Sequence, residues 1–408
     1  MNIKVQSPVS ILMVGIGGYG YYYLKTLLEE FPEGAVRLAG IVDPLADKSG
    51  HGETIRRLSI RVYSEIEDFY RNERTPDLAV ISSPIHFHVQ QSLVALKHGS
   101  NVLCDKPLAA IVQDVDDLIR LRNSSGKWLM VGYQWSYSRA IQALKRDMLS
   151  GRFGKPLKAQ SLCLWPRDDA YYNRNSWAGK IRDNEGHWVL DSPANNGMAH
   201  FLHNLLYLLG DQVNVSANPV EATAELYRVN PVENYDTIAS RILTDSGVEI
   251  LYYASHATHQ NVDPVFRIEF EEATVTFRDS EPEIIARTTK GETFNYGSPE
   301  NDHQFKKLFD AVECIRNPQE IICGAEAARA QTLCINGIQE SVTEISDFPS
   351  GMIKRDNLQG RWWVDGLGEA FLDCYNKKKL PSEAGYNWTI SGKSVNLTDY
   401  IRFTGSKG

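Results

Sequence analysis

Residues 9–20 read VSILMVGIGGYG and decide the fold of the N-terminal part of the chain. The mostly apolar run predicts a buried strand, and Gly15, Gly17 and Gly20 after it fit the G-x-G-x-x-G pattern of a dinucleotide-binding turn. The first glycine permits a tight turn, the second lets the backbone approach a pyrophosphate, and the third lets a helix pack closely on the strand. A helix beginning at Gly20 would also present amide donors to a phosphate.

A carboxylate at the end of the next predicted strand strengthens this interpretation. Asp43 stands 23 residues after Gly20, where it can accept hydrogen bonds from the hydroxyls of an adenosine ribose. The same carboxylate would repel a 2′-phosphate, so we predict NAD as the cofactor, with NADP less favoured. Gly18 and Tyr19 complete the loop and are predicted to contact the cofactor as well. The alternative for the three glycines alone is an ordinary turn.

Short apolar runs alternate with amphipathic stretches from residue 9 to residue 131, the pattern of strands buried between crossover helices. The predicted strands are 10–15, 36–42, 61–63, 77–82, 101–104 and 127–131. The predicted helices are 20–30, 64–71, 88–98 and 111–123. Right-handed crossovers leave few other arrangements, so the pattern predicts an α/β Rossmann domain with a doubly wound parallel sheet.

The rhythm changes after Gly132. Strands with a period of two follow one another without intervening helices, which predicts a C-terminal α+β domain with an open, mainly antiparallel sheet. We therefore predict a cofactor domain over 1–131 and a substrate domain over 132–408. The location of the tail, 351–408, is left open.

Composition restricts the function further. The 408 residues carry 43 basic and 51 acidic side chains, a formal net charge of −8, and no run of Lys and Arg. This acidic balance lacks the electrostatic signature of a protein that binds nucleic acid or anionic membranes. Six scattered cysteines without a C-x-x-C pair predict a reducing, cytoplasmic location and no zinc site. The apolar run near the start is too short for a membrane span.

Two turns after predicted strands carry residues that could serve a cofactor. Ser83 and Pro84 follow the fourth strand, and Asp105 and Lys106 follow the fifth, at the carboxyl edge where ligands bind in doubly wound sheets. Lys106 near a cationic nicotinamide would have a lowered pKa, as a general base requires. Its alternative is a surface lysine in a turn. His88 opens the next helix and is predicted to contact the nicotinamide half, or else to be only a polar helix-start residue.

A predicted helix over 193–209 carries a polar stripe. Asn196, His200, His203 and Tyr207 are spaced four, three and four residues apart, so they share one helix face. Polar groups on an apolar helix need partners, either within the fold or in a ligand. We interpret the stripe as a substrate site, with Asn196, His200 and His203 as contacts. Satisfied core histidines are the alternative, and metal ligation is not predicted because the stripe has no carboxylate.

The polar segment between residues 165 and 191 mixes flat rings with hydrogen-bonding groups. Trp165, Arg167, Tyr172 and Trp177 are its candidate substrate contacts. Aromatic rings stack on the apolar C–H faces of sugars, while charged groups bind sugar hydroxyls, so this composition favours a carbohydrate. A surface loop anchored by aromatic residues is the alternative. The short SHATH run that begins at Ser255 is a lesser candidate of the same kind.

These motifs together resemble the glucose-fructose oxidoreductase, inositol dehydrogenase and rhizopine catabolism (Gfo/Idh/MocA) family. The resemblance implies NAD- or NADP-dependent oxidation or reduction of hydroxyls on sugars and cyclitols. It also implies that Lys106 is the catalytic lysine of the Glu-Lys-Pro motif and His200 the catalytic histidine. Three positions depart from the family pattern that the resemblance implies. Asp105 stands where the family usually has Glu, and Asn196 stands where it often has Asp. His203 stands where an Asp commonly follows the catalytic histidine by three residues.

These departures favour Lys106 as the proton acceptor. Without a carboxylate beside it His200 would be a weaker base, so we expect it to orient the substrate hydroxyl, with help from His203. Two other functions stay open: cleavage of a glycosidic bond through transient oxidation of the sugar, and a non-catalytic sensor that binds the cofactor. A homo-oligomer is expected because an open sheet has a face to cover.

Overall fold

The computed structural model describes residues 7–278 and 281–405, so the outermost residues of both predicted domains lie outside it. These residues form two compact units. The first unit comprises the chain up to Ala109, Asp114–Tyr137 and Asp302–Glu326. The second unit comprises Ala110–Gln113, Ser138–Asn301 and the chain from Ala327 onward.

The first unit contains the predicted Rossmann sheet. Its six strands are β1 (Val9–Val14), β2 (Val36–Val42), β3 (Val62–Tyr63), β4 (Leu78–Ile81), β5 (Asn101–Cys104) and β6 (Leu129–Val131). The helices between them are α1 (Gly20–Glu29), α2 (Gly52–Arg57), α3 (Ile66–Asn72), α4 (His88–Lys97) and α5 (Val112–Ser125). All neighbouring strands are parallel, in the order β3-β2-β1-β4-β5-β6. The predicted doubly wound sheet is confirmed.

Local sequence signals account for most of this unit. Every residue of β1 and β4 is buried, as expected for parallel strands that are covered by helices on both faces. Gly99 and Gly126 follow the ends of α4 and α5 with φ of +89° and +68°, the left-handed conformation that glycine adopts most readily. Helix ends and strand burial could therefore both be predicted from short stretches of sequence.

The second unit contains a ten-stranded sheet. Its elements up to residue 301 are α6 (Arg139–Leu149), β7 (Pro156–Leu164), α7 (Asp169–Tyr172), α8 (Ala199–Leu208), β8 (Pro219–Arg228), β9 (Thr237–Thr244), β10 (Glu249–Ser255), β11 (Val262–Phe270), β12 (Ala273–Arg278), β13 (Glu281–Thr288) and β14 (Thr293–Asn295). After that point the chain forms α9 (Lys306–Arg316), which belongs to the first unit, and then α10 (Ala325–Ser341), β15 (Ser346–Asp347), β16 (Ile353–Asp356), β17 (Arg361–Val364), α11 (Leu367–Lys377), α12 (Pro381–Ala384) and β18 (Val395–Asn396). Within the described ranges, no helix is long and apolar enough to cross a membrane.

The sheet order is β14-β13-β12-β11-β7-β10-β9-β8-β15, with β18 also paired to β8. Most pairs are antiparallel, which confirms the predicted open antiparallel sheet. The central pair β7 and β10 is parallel. The carboxyl ends of these two strands, at Leu164 and Ser255, therefore lie at the same edge of the sheet.

One helix from the later part of the chain belongs to the first unit. α9 packs against β1 and β4. Its Phe309 ring stacks on Phe31 with centroids 4.5 Å apart, and Arg316 Nη2 donates to the Ala35 carbonyl at 2.7 Å. The first unit is therefore discontinuous in sequence. The boundary predicted at residue 131 did not assign α9 to this unit, because no local sequence signal links residues so far apart.

The C-terminal tail, whose location the sequence left open, packs on the second unit's sheet. Phe371 of α11 and Trp388 join one apolar cluster with β7 and β10. Neighbouring side chains on a strand point to opposite faces. Tyr253 of β10 accordingly donates to the Lys379 carbonyl in the tail at 2.9 Å, while Tyr252 donates to the Met198 carbonyl before α8 at 3.0 Å. All six cysteines are buried, and none of them forms a disulfide bond.

A buried lysine supports the end of α8. Lys145 of α6 is completely buried, and its Nζ donates to the carbonyl oxygens of Tyr207 at 2.6 Å and Val215 at 2.7 Å. Nζ also lies 3.7 Å from the centroid of the Tyr207 ring. The last carbonyls of a helix have no partner within the helix itself. Lys145 therefore supplies a donor that the helix lacks.

We expect Lys145→Met to lower the free energy of unfolding by about 1–3 kcal/mol, because it leaves buried carbonyls without a donor. Urea denaturation followed by circular dichroism would measure the loss. Arg146→Met is the matched control, since Arg146 is exposed on the same helix and should cost less than about 0.5 kcal/mol. Equal stability of the two variants would contradict the assignment.

Candidate functional site

The glycine loop of the first unit is packed tightly against the turn after β4. Gly15 has a φ of +79°, and a Cβ built there would lie 2.7 Å from the Ser83 backbone nitrogen. A Cβ on Gly20 would lie 2.2 Å from the Gly15 carbonyl oxygen. A Cβ on Gly17, by contrast, would meet no atom within 4 Å. The first and third glycines are therefore required by packing, while the second leaves the backbone open to a pyrophosphate, as predicted.

Asp43 at the end of β2 is bonded to this loop. Its Oδ2 accepts from the Ile16 backbone nitrogen at 2.9 Å, and its Oδ1 accepts from the Leu45 nitrogen at 2.8 Å. Each carboxylate oxygen keeps further acceptor capacity. The carboxylate is thus fixed beside the loop, in a position suited to ribose hydroxyls. The predicted contact of Asp43 with the adenosine ribose stays a prediction.

The strand order reverses between β1 and β4, and the turns after β4 and β5 lie at that carboxyl edge of the sheet. Ligands of doubly wound sheets bind there. The edge brings the glycine loop together with Ser83, Pro84 and the Asp105-Lys106-Pro107 turn. Lys106 is half-buried, and its peptide bond to Pro107 is cis.

His88 connects the two turns from within. It is 2% exposed, and its ring nitrogens lie 2.7 Å from the Ser83 carbonyl oxygen and 2.8 Å from the Pro107 carbonyl oxygen. Burial lowers the pKa of His88, and the bond to Pro107 partly offsets this effect. The structure therefore gives His88 a positioning role between the turns. Its predicted contact with the nicotinamide half stays a prediction.

A lysine that sequence analysis missed lies behind the Lys106 turn. Lys307 of α9 is 1% exposed, and its Nζ lies 3.4 Å from Asp105 Oδ1 and 3.0 Å from the Gly132 carbonyl oxygen. Tyr23 of α1 donates to the same Asp105 oxygen at 3.3 Å. Burial lowers the pKa of Lys307, and the charge of Asp105 opposes that shift. This buried pair fixes the residue directly before Lys106.

The same helix end reaches the glycine loop. Tyr19 Oη lies 3.1 Å from Gln304 Nε2 and 3.4 Å from Lys307 Nζ, and the Tyr19 ring stacks on Phe305 at 5.3 Å. α9 therefore contacts both the phosphate loop and the turn that carries Lys106. Its lysine gives no local signal, because one lysine on an amphipathic helix is ordinary. Sequence analysis did not find Lys307 because its contacts are with residues that lie far away in the sequence.

The second unit contains the predicted histidines. His200 of α8 is half-buried, while His203 is 1% exposed and stacks on Tyr207 with centroids 5.7 Å apart. Burial, with a smaller effect of the Lys145 charge, lowers the pKa of His203 well below its usual value. His203 is therefore neutral at neutral pH. Lys106 belongs to the first unit and His200 to the second.

One part of the predicted polar stripe is wrong. Asn196 does not lie on a helix with His200, because α8 begins only at Ala199 and Asn196 has φ −139° and ψ −102°. Pro193 instead begins a short 3₁₀ turn, and Ser192 Oγ accepts from the Asn195 amide at 3.2 Å. Asn196 Nδ2 donates to Asp191 Oδ1 at 2.6 Å. A carboxylate that the sequence pattern did not suggest thus lies beside Asn196.

The aromatic segment after β7 collects several predicted contacts in the second unit. The Trp165 ring meets Phe201, next to His200, edge to face at 5.4 Å. Tyr172 Oη lies 3.0 Å from His256 Nδ1. His256 follows β10 as Trp165 follows β7, so the parallel pair brings these residues to one edge. Trp177 lies farther along the segment, with its ring centroid 5.4 Å from the Arg174 guanidinium carbon.

A family model described as "Oxidoreductase family, NAD-binding Rossmann fold" matches residues 9–133. The Gfo/Idh/MocA resemblance is thereby confirmed for the first part of the chain, and NAD is the cofactor to which that fold is adapted.

Two curated relatives match a similar stretch. One, 28% identical over 154 residues, is a 2,7-anhydro-N-acetylneuraminate hydratase of Mediterraneibacter gnavus; the match covers 38% of this chain and 39% of that protein. The other, 27% identical over 156 residues, is a scyllo-inositol 2-dehydrogenase (NAD(+)) of Bacillus subtilis, with 38% and 44% covered. The matched part of the chain thus spans less than half the length of these relatives.

A solved structure extends the similarity of fold over most of the chain. The WlbA dehydrogenase from Chromobacterium violaceum, in complex with NADH and UDP-GlcNAcA, matches with a TM-score of 0.67 and covers 82% of this chain and 93% of its own. The sequence identity is 17%, so this similarity concerns the fold. The pairing of a Rossmann unit with an open antiparallel sheet is therefore shared with a known dehydrogenase.

We expect Asp43→Ser to weaken NAD binding by about tenfold and to narrow the preference over NADP, because a charge-assisted hydrogen bond and the repulsion of a 2′-phosphate are both lost. Serine keeps one oxygen near the loop amides. Calorimetric titration with NAD and NADP would measure both affinities. Asp47→Ser, at a neighbouring exposed carboxylate, should leave them unchanged. An unaltered NAD/NADP ratio in Asp43→Ser would refute the ribose contact.

We expect Lys307→Met to lower the free energy of unfolding by about 3–5 kcal/mol, since it leaves the Asp105 carboxylate buried without its cation. The adjacent Lys306 pairs with Asp310 near the surface, so Lys306→Met should cost less than about 1 kcal/mol. Urea titrations of both variants test the difference. The double variant Lys307→Met/Asp105→Asn should recover part of the loss, and additive losses would show that the pair is not coupled.

Proposed function

We propose that this chain is an NAD-dependent oxidoreductase, because its first unit is built on an NAD-binding Rossmann domain of the Gfo/Idh/MocA type. In this proposal it transfers hydride between the nicotinamide and a hydroxyl-bearing carbon of a sugar, a sugar derivative or a cyclitol. One observation carries the proposal: Lys106 lies at the carboxyl edge of the sheet, in a turn that is fixed by the buried pair of Asp105 and Lys307.

Bound NAD would supply the hydride acceptor. The residues fitted to hold it are the glycine loop, with its open approach at Gly17, and Asp43, whose two oxygens are bonded to loop amides. Ser83, Pro84 and Asp105 border the same edge. The protein must then position the substrate carbon beside the nicotinamide and remove the proton of the hydroxyl.

Lys106 is the proposed proton acceptor. Its uncharged amine would take the proton of the substrate hydroxyl as the C–H bond breaks, so that the alcohol becomes a carbonyl and the amine an ammonium. The proton then passes to solvent, which balances the reaction. Two features support this role: the half-buried position of Lys106 and the fixed backbone on either side of it, through Asp105 and through the bond of Pro107 to His88.

His200 is proposed to orient the substrate hydroxyl from the second unit. Its half-buried position at the start of α8 is suited to this role, whereas the complete burial of His203 favours support of the helix over proton transfer. The hydrogen bond between Asn196 and Asp191 lies in the segment before α8, seven residues before His203. His203 is therefore a positioning residue in this proposal.

The substrate class follows from the second unit's aromatic segment. Trp165, Tyr172 and Trp177 offer flat rings, with Arg167 between them as a charged donor. Rings that stack on C–H faces together with charged donors suit a carbohydrate. The named relatives act on an anhydro sugar and on an inositol, which supports the same class.

We expect Lys106→Met to reduce turnover by about a hundredfold or more, in the range of general-base catalysis, while NAD affinity stays nearly unchanged. Mass spectrometry of nucleotide released from the denatured protein identifies the cofactor, and NADH absorbance against a panel of sugars and cyclitols then supplies the assay. Lys97→Met, at an exposed lysine of α4, is the control. Wild-type turnover by Lys106→Met would overturn the assignment.

A further inference from the structure

Arg167 has a charge that the fold does not balance. Its guanidinium lies 5.0 Å from the centroid of the Tyr171 ring and 5.6 Å from that of Trp165, and Nη1 makes one long contact of 3.4 Å with the Pro166 carbonyl. Its Nε is buried without a hydrogen-bond partner. Among the residues that the structure describes, no carboxylate lies within 4.0 Å of this guanidinium. A buried donor left unpaired in a folded protein requires an explanation.

The nearest carboxylates along the chain and across the sheet have other partners. Asp168 accepts from the Tyr171 backbone nitrogen at 2.8 Å and so caps the short helix α7. Asp263 accepts from Trp165 Nε1 at 2.9 Å. Neither is therefore the missing partner of Arg167.

A second arginine makes the same region more positive. Arg174 lies 3.8 Å from the centroid of the Tyr171 ring, and its only carboxylate contact within the described part of the chain is a distance of 3.8 Å to Asp191. Asp191 already accepts from the Gly179 nitrogen and from Asn196 Nδ2, both at 2.6 Å. Arg174 therefore has one long ion pair, to a carboxylate that also accepts from two neutral donors, and Arg167 has no ion pair among the described residues.

His256 responds to this positive charge. It is 2% exposed, and the Arg167 backbone nitrogen donates to its carbonyl oxygen at 3.0 Å. Burial lowers the pKa of His256 well below its usual value, and the charges of Arg167 and Arg174 lower it further. The ring is therefore neutral, and its buried Nε2 is a second polar atom without a hydrogen-bond partner.

The cluster adjoins the helix of the proposed substrate site, within the same unit. Trp165, beside Arg167, contacts Phe201 of α8, and the contacts of Asp191 connect Arg174 to Asn196 just before that helix. Arg167 is thus two residues from a side chain that contacts α8, and Arg174 forms an ion pair with Asp191, which accepts from Asn196 three residues before α8.

We propose that Arg167 and Arg174 form a subsite for an oxyanion, so that the sugar substrate is acidic rather than neutral. The inference rests on the proposed function and specifies its substrate class. A guanidinium presents two parallel N–H donors to the two oxygens of a carboxylate or a phosphate. The tyrosine and tryptophan rings beside the arginines supply the apolar surface for the sugar ring.

The test compares matched sugars that differ in one charged group. D-glucuronate with D-glucose, and D-galacturonate with D-galactose, probe a carboxylate, while D-glucose 6-phosphate probes a phosphate. Binding to the full chain in the presence of NADH is measured by saturation-transfer NMR and calorimetry, which need no turnover. The same sugars are then assayed for NADH formation with NAD. Arg167→Gln is the test variant, and Arg182→Gln, an exposed arginine of the same segment, is the control.

We expect an acidic sugar to bind at least about tenfold more tightly than its neutral partner, and Arg167→Gln to remove that difference while Arg182→Gln keeps it. Preference for the uronates or for the phosphate identifies the oxyanion. Equal binding of acidic and neutral sugars, or an acidic preference that survives Arg167→Gln, overturns the subsite even if NADH is formed. An Arg167-dependent acidic preference without any NADH formation instead retains the subsite and rejects the proposed oxidation.

Discussion

The buried ion pair between Asp105 and Lys307 is the contact on which the first unit's edge depends. A buried carboxylate without a cation is strongly destabilising, so the turn after β5 can remain buried only while α9 supplies Lys307. Through Tyr19 the same helix end also contacts the glycine loop. A helix that returns late in the chain therefore fixes the two segments from which a cofactor and a base would act.

The two units differ in how a charged side chain is partnered within the fold. In the first, Lys307 and Tyr23 contact the Asp105 carboxylate inside the fold. In the second, Arg167 finds no such partner among the described residues. A charge balanced within the fold stabilises structure. A charge left unbalanced beside aromatic rings is available to a ligand. This contrast is the reason for proposing an acidic sugar as the substrate.

The histidines show how burial divides similar residues into different roles. His88, His203 and His256 are each at most 2% exposed, burial lowers the pKa of all three, and each contacts backbone or aromatic rings within the fold. Of the two histidines in the predicted stripe, His200 is half-buried and His203 is not. Sequence spacing put His200 and His203 on one face, but it could not rank their exposure, because that depends on what packs against the helix.

The sequence by itself determined the Rossmann sheet, the glycine loop and the position of Asp43, because each depends on residues close together along the chain: apolar runs, glycine conformations and strand ends. It also placed Lys106 after β5. Only the tertiary structure decided that Lys307 balances Asp105, that Asp191 rather than a helical neighbour contacts Asn196, and that Arg167 has no carboxylate within 4.0 Å among the residues that the structure describes. Those outcomes depend on contacts between segments far apart in sequence, for which periodicity and local propensity carry no information.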